Sequence, residues 1–177
     1  MKCERNNQGL TIIGLLVYIG LVAIVMTIFT TFLVRLVRLN FSNQAAKDVL
    51  STSQRVLSII TQEILAATSV YAPTCRFDAS FGQLSLETTK DAPTGENSTY
   101  VDFFVDGERL YLKREGQNQI LLTAERVRVK DLVFKYLDSA TPQTIWVSLT
   151  TVYDSPAPEI QTASELSLTT SVSLRSY

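Results

Sequence analysis

The apolar positions of this chain change their period twice, and each change marks an element. From Leu10 to Val34 there is no period, because 25 residues pass without a charge. At about 1.5 Å per residue, a helix of that length crosses a hydrocarbon core of roughly 30 Å. Beyond it the apolar positions fall at steps of three and four. They run Leu36, Leu39, Ala46, Val49, Leu50, Leu57, Ile60, Ile64 and Ala67, with Val56 and Leu65 beside them. Asn43, Lys47, Ser51, Gln54, Arg55, Ser58 and Gln62 form the opposite face, so the pattern predicts an amphipathic helix, wet on one side. No proline lies between Leu10 and Ala72, and no glycine between Gly20 and Gly82. One helix is therefore predicted from about 10 to 71, with residues 10–34 as its membrane half and 35–71 as its amphipathic half. Tyr71-Ala72-Pro73 is its expected stop, since the residue before a proline disfavours helical backbone.

After residue 72 the period becomes two. Gly82–Thr88 alternates Leu84 and Leu86 with polar neighbours, predicting a short strand, and Thr89–Thr99 carries the turn formers of an exposed loop. A hairpin comes next, with Asp106-Gly107 as the expected type I′ turn. That turn sets Phe103 opposite Leu110 and Val101 opposite Leu112 on one face. Phe104–Arg109, Asp102–Tyr111 and Tyr100–Lys113 pair on the other. Val127 and Val129 share a face, but the apolar parity then moves to Leu132, Phe134 and Tyr136, which predicts a bulge at Lys130-Asp131. Ile145, Val147 and Leu149 line one face of a further strand. Leu166, Leu168, Thr170, Val172 and Leu174 line one face of the last. The expected fold class is α+β: a long N-terminal helix packed on an antiparallel β-sheet head formed by residues 72–177.

Composition narrows the chemistry. The 177 residues carry 16 basic and 17 acidic side chains, a net charge of −1, so the basic footprint of a nucleic-acid binder is absent. There is no histidine, which excludes Ser-His-Asp and Cys-His catalysis and ordinary histidine zinc sites. The two cysteines are Cys3 and Cys75. Cys75 has no second thiol near it in sequence for a metal site and reads as a small buried residue. Gly82, Gly95, Gly107 and Gly116 are isolated, and no phosphate-binding loop is formed. Asp102, Asp106 and Glu108 could ligate calcium, but the hairpin register turns them outward around an ordinary turn. The sequence thus offers no catalytic, cofactor-binding or metal-binding residue, and an enzyme is not expected.

The start of the chain carries a resemblance. A short polar leader with Lys2 and Arg5, then Gly9, then LTIIGLLVYIG, resembles the cleavage and methylation segment of type IV pilins and type II secretion pseudopilins. In an ordinary secretory signal the small-residue cleavage site lies after the apolar region; here Gly9 precedes it. The resemblance implies that a prepilin peptidase removes the leader, residues 1–9, by cutting between Gly9 and Leu10, and that the Leu10 amine is methylated. The family pattern after the glycine is Phe-Thr-Leu-Ile-Glu, whereas this chain reads Leu10-Thr11-Ile12-Ile13-Gly14. It therefore lacks the glutamate that the family uses in assembly, at the position of Gly14. The stretches DGERLYLKREG, LLTAERVRVKDLVF and SVSLRSY are also similar to the heads of J-type minor pseudopilins.

Taken with the strand pattern of the head, the resemblance implies a pilin-like fold and a structural role. The chain is expected to be a minor pilin or pseudopilin of a type IV pilus, type II secretion or DNA-uptake filament, placed at the tip or in the initiating complex. Its implied partners are other pilin-like subunits through the N-terminal helix, the prepilin peptidase, an inner-membrane assembly platform and membrane lipid. Lys2 and Arg5 compete with Arg35 and Arg38 at the other end of the span, so basic residues alone leave the orientation open. The resemblance keeps the leader in the cytoplasm and the head outside the bacterial inner membrane. Arg35 and Arg38 then snorkel to the far interface. A second reading, a signal-anchored extracytoplasmic binding module tethered by an uncleaved helix, fits the same hydropathy.

Overall fold

The computed structural model describes residues 12–92, 94–137, 142–154 and 164–175. It divides into two compact units, residues 1–41 and residues 42–177, and the helix α1 (Ile12–Ala66) contributes to both. In the first unit the described residues are exposed throughout, apart from a half-buried Val22. The hydroxyls of Thr27, Thr30 and Thr31 donate to the carbonyls of Ala23, Met26 and Thr27, each at 2.8 Å. Their polar hydrogens are thus satisfied within the helix, as an apolar surrounding requires.

In the second unit α1 buries Ala45, Val49, Thr52, Ser53, Val56, Ile60, Glu63 and Ile64. The whole predicted polar face, from Asn43 to Gln62, is exposed. The buried stripe lies to one side of the predicted one. Leu50 and Leu65 stay 42% and 46% exposed, Ala46 is exposed and Leu57 is half-buried. Polar partners explain the displacement, because Ser53 and Glu63 each meet a matching group on a strand. Hydrophobic periodicity does not register such a match.

The helix ends at Ala66 and not near Tyr71. Ala67–Val70 is instead strand β1, antiparallel to β2 (Leu84–Thr88), with Val70 opposite Leu86. Thr68 and Val70 are β-branched and give up little by leaving the helix. The Thr88 hydroxyl donates to the Ala66 carbonyl at 3.1 Å, satisfying one acceptor that the helix end leaves open. Ala72–Thr74 forms a single 3₁₀ turn.

The head contains two antiparallel sheets where one was expected. The first has the order β1-β2-β3-β4-β5, with β3 Thr99–Asp106, β4 Arg109–Arg114 and β5 Ile120–Leu121. The second is β6-β7-β8, with β6 Val127–Leu137, β7 Thr144–Tyr153 and β8 Glu165–Ser173. Two-residue β5 occupies the edge beside β4, and the Val129 amide of β6 donates to the Glu108 carbonyl at the hairpin tip at 2.8 Å. The Gly82 and Asp78 amides donate to the Leu132 and Phe134 carbonyls, carrying the segment before β2 along β6. Val56, Ile60 and Ile64 of the helix join Leu84, Phe103, Phe134, Ile145 and Leu149 in one core.

The hairpin keeps its predicted faces but not its predicted pairs. Phe103 opposes Leu112, Val105 opposes Leu110, Phe104 opposes Tyr111 and Asp102 opposes Lys113. The turn is centred on Gly107 and Glu108, which have φ of 53° and 61°, and not on Asp106-Gly107. Slipping the turn by one residue preserves the parity while changing the company of each side chain. The observed register stacks Phe104 on Tyr111, with ring centroids 5.8 Å apart, and sets Asp102 against Lys113 and Asp106 against Arg109. The predicted register would put Phe104 against Arg109 and Asp102 against Tyr111, so cross-strand complementarity favours the slip. The β6 bulge is where the parity shift placed it, between Val129 and Asp131. On β7 Ile145, Val147 and Leu149 are buried, and β8 alternates as expected.

Candidate functional site

The most distinctive surface of the described residues is the helix from Ile12 to Phe41. Ile12, Leu16, Val17, Ile24 and Ile28 are each more than 60% exposed. Helix formation satisfies the backbone, the threonines satisfy themselves, and no charged side chain occurs between Ile12 and Arg35. This stretch is long and apolar enough to cross a membrane. Apart from the hydroxyl of exposed Tyr18, such a surface offers no side-chain group that bonds well to water and can lie against lipid or against other apolar helices.

The expected processing residues, Gly9 and Leu10, lie outside the described residues. Gly14 is in α1 and exposed, as are Arg35 and Arg38.

Where the helix meets the head, three polar ties hold it that sequence reasoning missed. Arg114 of β4 donates to Glu63 at 2.7 Å, with side chains only 17% and 10% exposed. Ser53 and Thr151 of β7 share a buried hydrogen bond of 2.6 Å. Arg55 donates to the Leu122 carbonyl at 2.6 Å. These partners are remote in sequence, and only the strand order brings them to the helix. Together they fix rotation and translation of the helix on the two sheets, which apolar packing alone fixes less sharply.

The remaining candidates are structural in geometry. Cys75 is half-buried, its sulfur accepting from the Ser85 amide at 3.2 Å. Burial pushes its thiol pKa up, against the Ser85 hydrogen bond and with help from the Asp102 charge, so it is held as the inert thiol. Glu108 accepts from Arg128 at 3.0 Å, and Arg128 also meets Asp154 at 2.8 Å. The guanidinium is held charged first by the Glu108 hydrogen bond and then by the Asp154 charge. Of the three hairpin carboxylates, only Glu108 is drawn into an ion pair among the described residues, and Asp106 stands opposite Arg109 in the strand register. Among the described residues no group of three or more acidic or cysteine side chains converges as a metal cage.

Comparison with known proteins returned no matching family model, no matching curated protein and no matching solved structure.

Proposed function

We propose that the chain is a minor pilin or pseudopilin, a structural subunit that enters a type IV pilus, type II secretion or DNA-uptake filament by its N-terminal helix. The observation that supports this reading most directly is the double character of α1. One helix carries an uncovered, charge-free apolar stretch and, further along, a buried stripe that seats a two-sheet head. A tether to the membrane needs only the first of these. A filament subunit needs both, because the same helix must hold its own head and pack against its neighbours.

On this reading the leader is cytoplasmic, the helix passes once through the inner membrane and the head is extracytoplasmic. A prepilin peptidase cuts between Gly9 and Leu10 and the new amine is methylated. Intact mass of the detergent-extracted protein tests this, with loss of residues 1–9 and gain of one methyl group as the expected result. Gly9→Val should leave the leader in place, because a bulky side chain crowds the bond to be cut. A full-length mass for the unaltered chain, in cells with an active prepilin peptidase, would overturn the reading in favour of an uncleaved anchor.

A further inference from the structure

The solvent face of the five-stranded sheet holds a hollow of about 300 Å³ between the start of the 3₁₀ turn and the β3–β4 hairpin. Tyr71 and Tyr100 form one wall, their rings tilted by 57° with centroids 4.9 Å apart. Asp102, Glu115 and Lys113 complete it. Several opposite charges on the head are matched: Glu63 with Arg114, Glu108 and Asp154 with Arg128, and Glu165 with Lys130. Asp102, Glu115 and Lys113 line one hollow without such a match. Among the described residues none of the three makes a side-chain hydrogen bond or an ion pair, although Asp102 and Lys113 are cross-strand partners. Two carboxylates and one ammonium, none of them in an ion pair among the described residues, thus line one hollow with two aromatic rings.

We propose that this hollow receives an arginine side chain presented by a partner protein. A guanidinium is planar, lies flat on a tyrosine ring and offers paired N–H donors to a carboxylate, so the rings and acids bind different parts of one group. The volume is at the lower limit for small-molecule sites, which suits the end of one side chain and not a cofactor. Because the hollow is shallow, a single side chain gains little there, and the rest of the partner must supply further contact. Lys113 also lines the hollow and opposes any cation there, so it lowers the affinity of the site without abolishing it. The assignment is independent of whether the chain enters a filament.

The test uses the full chain in detergent micelles, labelled with fluorotyrosine, with Tyr71→Phe and Tyr100→Phe to assign the two signals. The probe is N-acetyl-arginine N-methylamide at low salt, and its uncharged citrulline analogue is the control. A saturable shift of both signals is expected, with a midpoint in the millimolar range. The analogue should bind at least roughly fivefold more weakly, corresponding to about 1 kcal/mol. Asp102→Asn with Glu115→Gln should weaken the arginine probe to a similar degree, and Lys113→Gln should strengthen it. The opposite response of Lys113→Gln guards against reading a general loss of structure as loss of the site. Absence of a saturable shift, equal binding of the citrulline analogue, or indifference to both sets of substitutions would each overturn the assignment.

Discussion

Gly82 is held by space and not by an unusual backbone angle. A Cβ placed there would stand 3.0 Å from the Arg76 carbonyl oxygen, 3.1 Å from the Phe134 ring and 3.2 Å from the Leu132 carbonyl oxygen. Both oxygens are committed: Leu132 accepts from the Gly82 amide at 2.7 Å and Arg76 accepts from the Gln83 amide at 3.2 Å. Neither can retreat without loosening the seam that ties the segment before β2 to β6. Phe134 is fully buried, so its ring is hemmed in by the core. Gly82→Ala is therefore expected to cost about 1–3 kcal/mol, the range for overpacking a close-packed site. The corresponding fall in melting temperature is several degrees, read from tyrosine fluorescence of the full chain in detergent. An unchanged melting temperature would contradict the close approach.

The joint between α1 and the strands depends on a charge pair that neither element explains alone. Glu63 and Arg114 are both largely removed from water; Arg114 is the cation that compensates the Glu63 carboxylate, while Arg114 also has Asp91 at 4.0 Å. Replacing Arg114 with Met should cost about 3–5 kcal/mol, since it leaves a carboxylate without its cation in a nearly dry site. Adding Glu63→Leu to that variant should recover much of the loss. A double-mutant cycle by urea unfolding measures the coupling, and additive losses would show that the pair does not act as a unit. This pair also marks the limit of what periodicity conveys. The helix, the β6 bulge and the alternation of β7 and β8 were legible because each is a local pattern, a run or a parity carried by adjacent residues. The stripe displaced toward Glu63 and the one-residue slip of the hairpin turn were not legible. Both depend on which side chains meet across elements, and two hairpin registers with the same parity look identical along the chain. The helix end at Ala66 was missed for a related reason, because Ala67–Val70 continues the helical spacing and becomes a strand only through its pairing with β2. The apolar part of the candidate surface was plain from the absence of charge. The hollow at Tyr71 and Tyr100 was not, as it exists only once β1, β2 and β3 lie side by side.

At the scale of the whole molecule, the proposed filament role turns on one missing carboxylate. In the family that the leader resembles, a glutamate at the position of Gly14 pairs with the charged N-terminal amine of a neighbouring subunit inside the membrane. A charge left alone near the bilayer centre costs at least about 2.5–3.5 kcal/mol, so in a repeating filament that pairing recurs at each added subunit. With glycine at position 14 this chain has no carboxylate to offer there. Its own Leu10 amine, freed by cleavage, can still be accepted by the glutamate of another subunit. The exchange is therefore one-sided, and a one-sided subunit fits where nothing stands ahead of it, at the tip or in the initiating complex. Quantitative mass spectrometry of sheared filaments is expected to find this chain at a small fraction of the main subunit. Gly14→Glu, by restoring the second half of the exchange, should raise that fraction by admitting the chain to the body. Abundance equal to the main subunit before any substitution would rule out the end position, because a subunit lacking the carboxylate would then be tolerated at every turn of the filament.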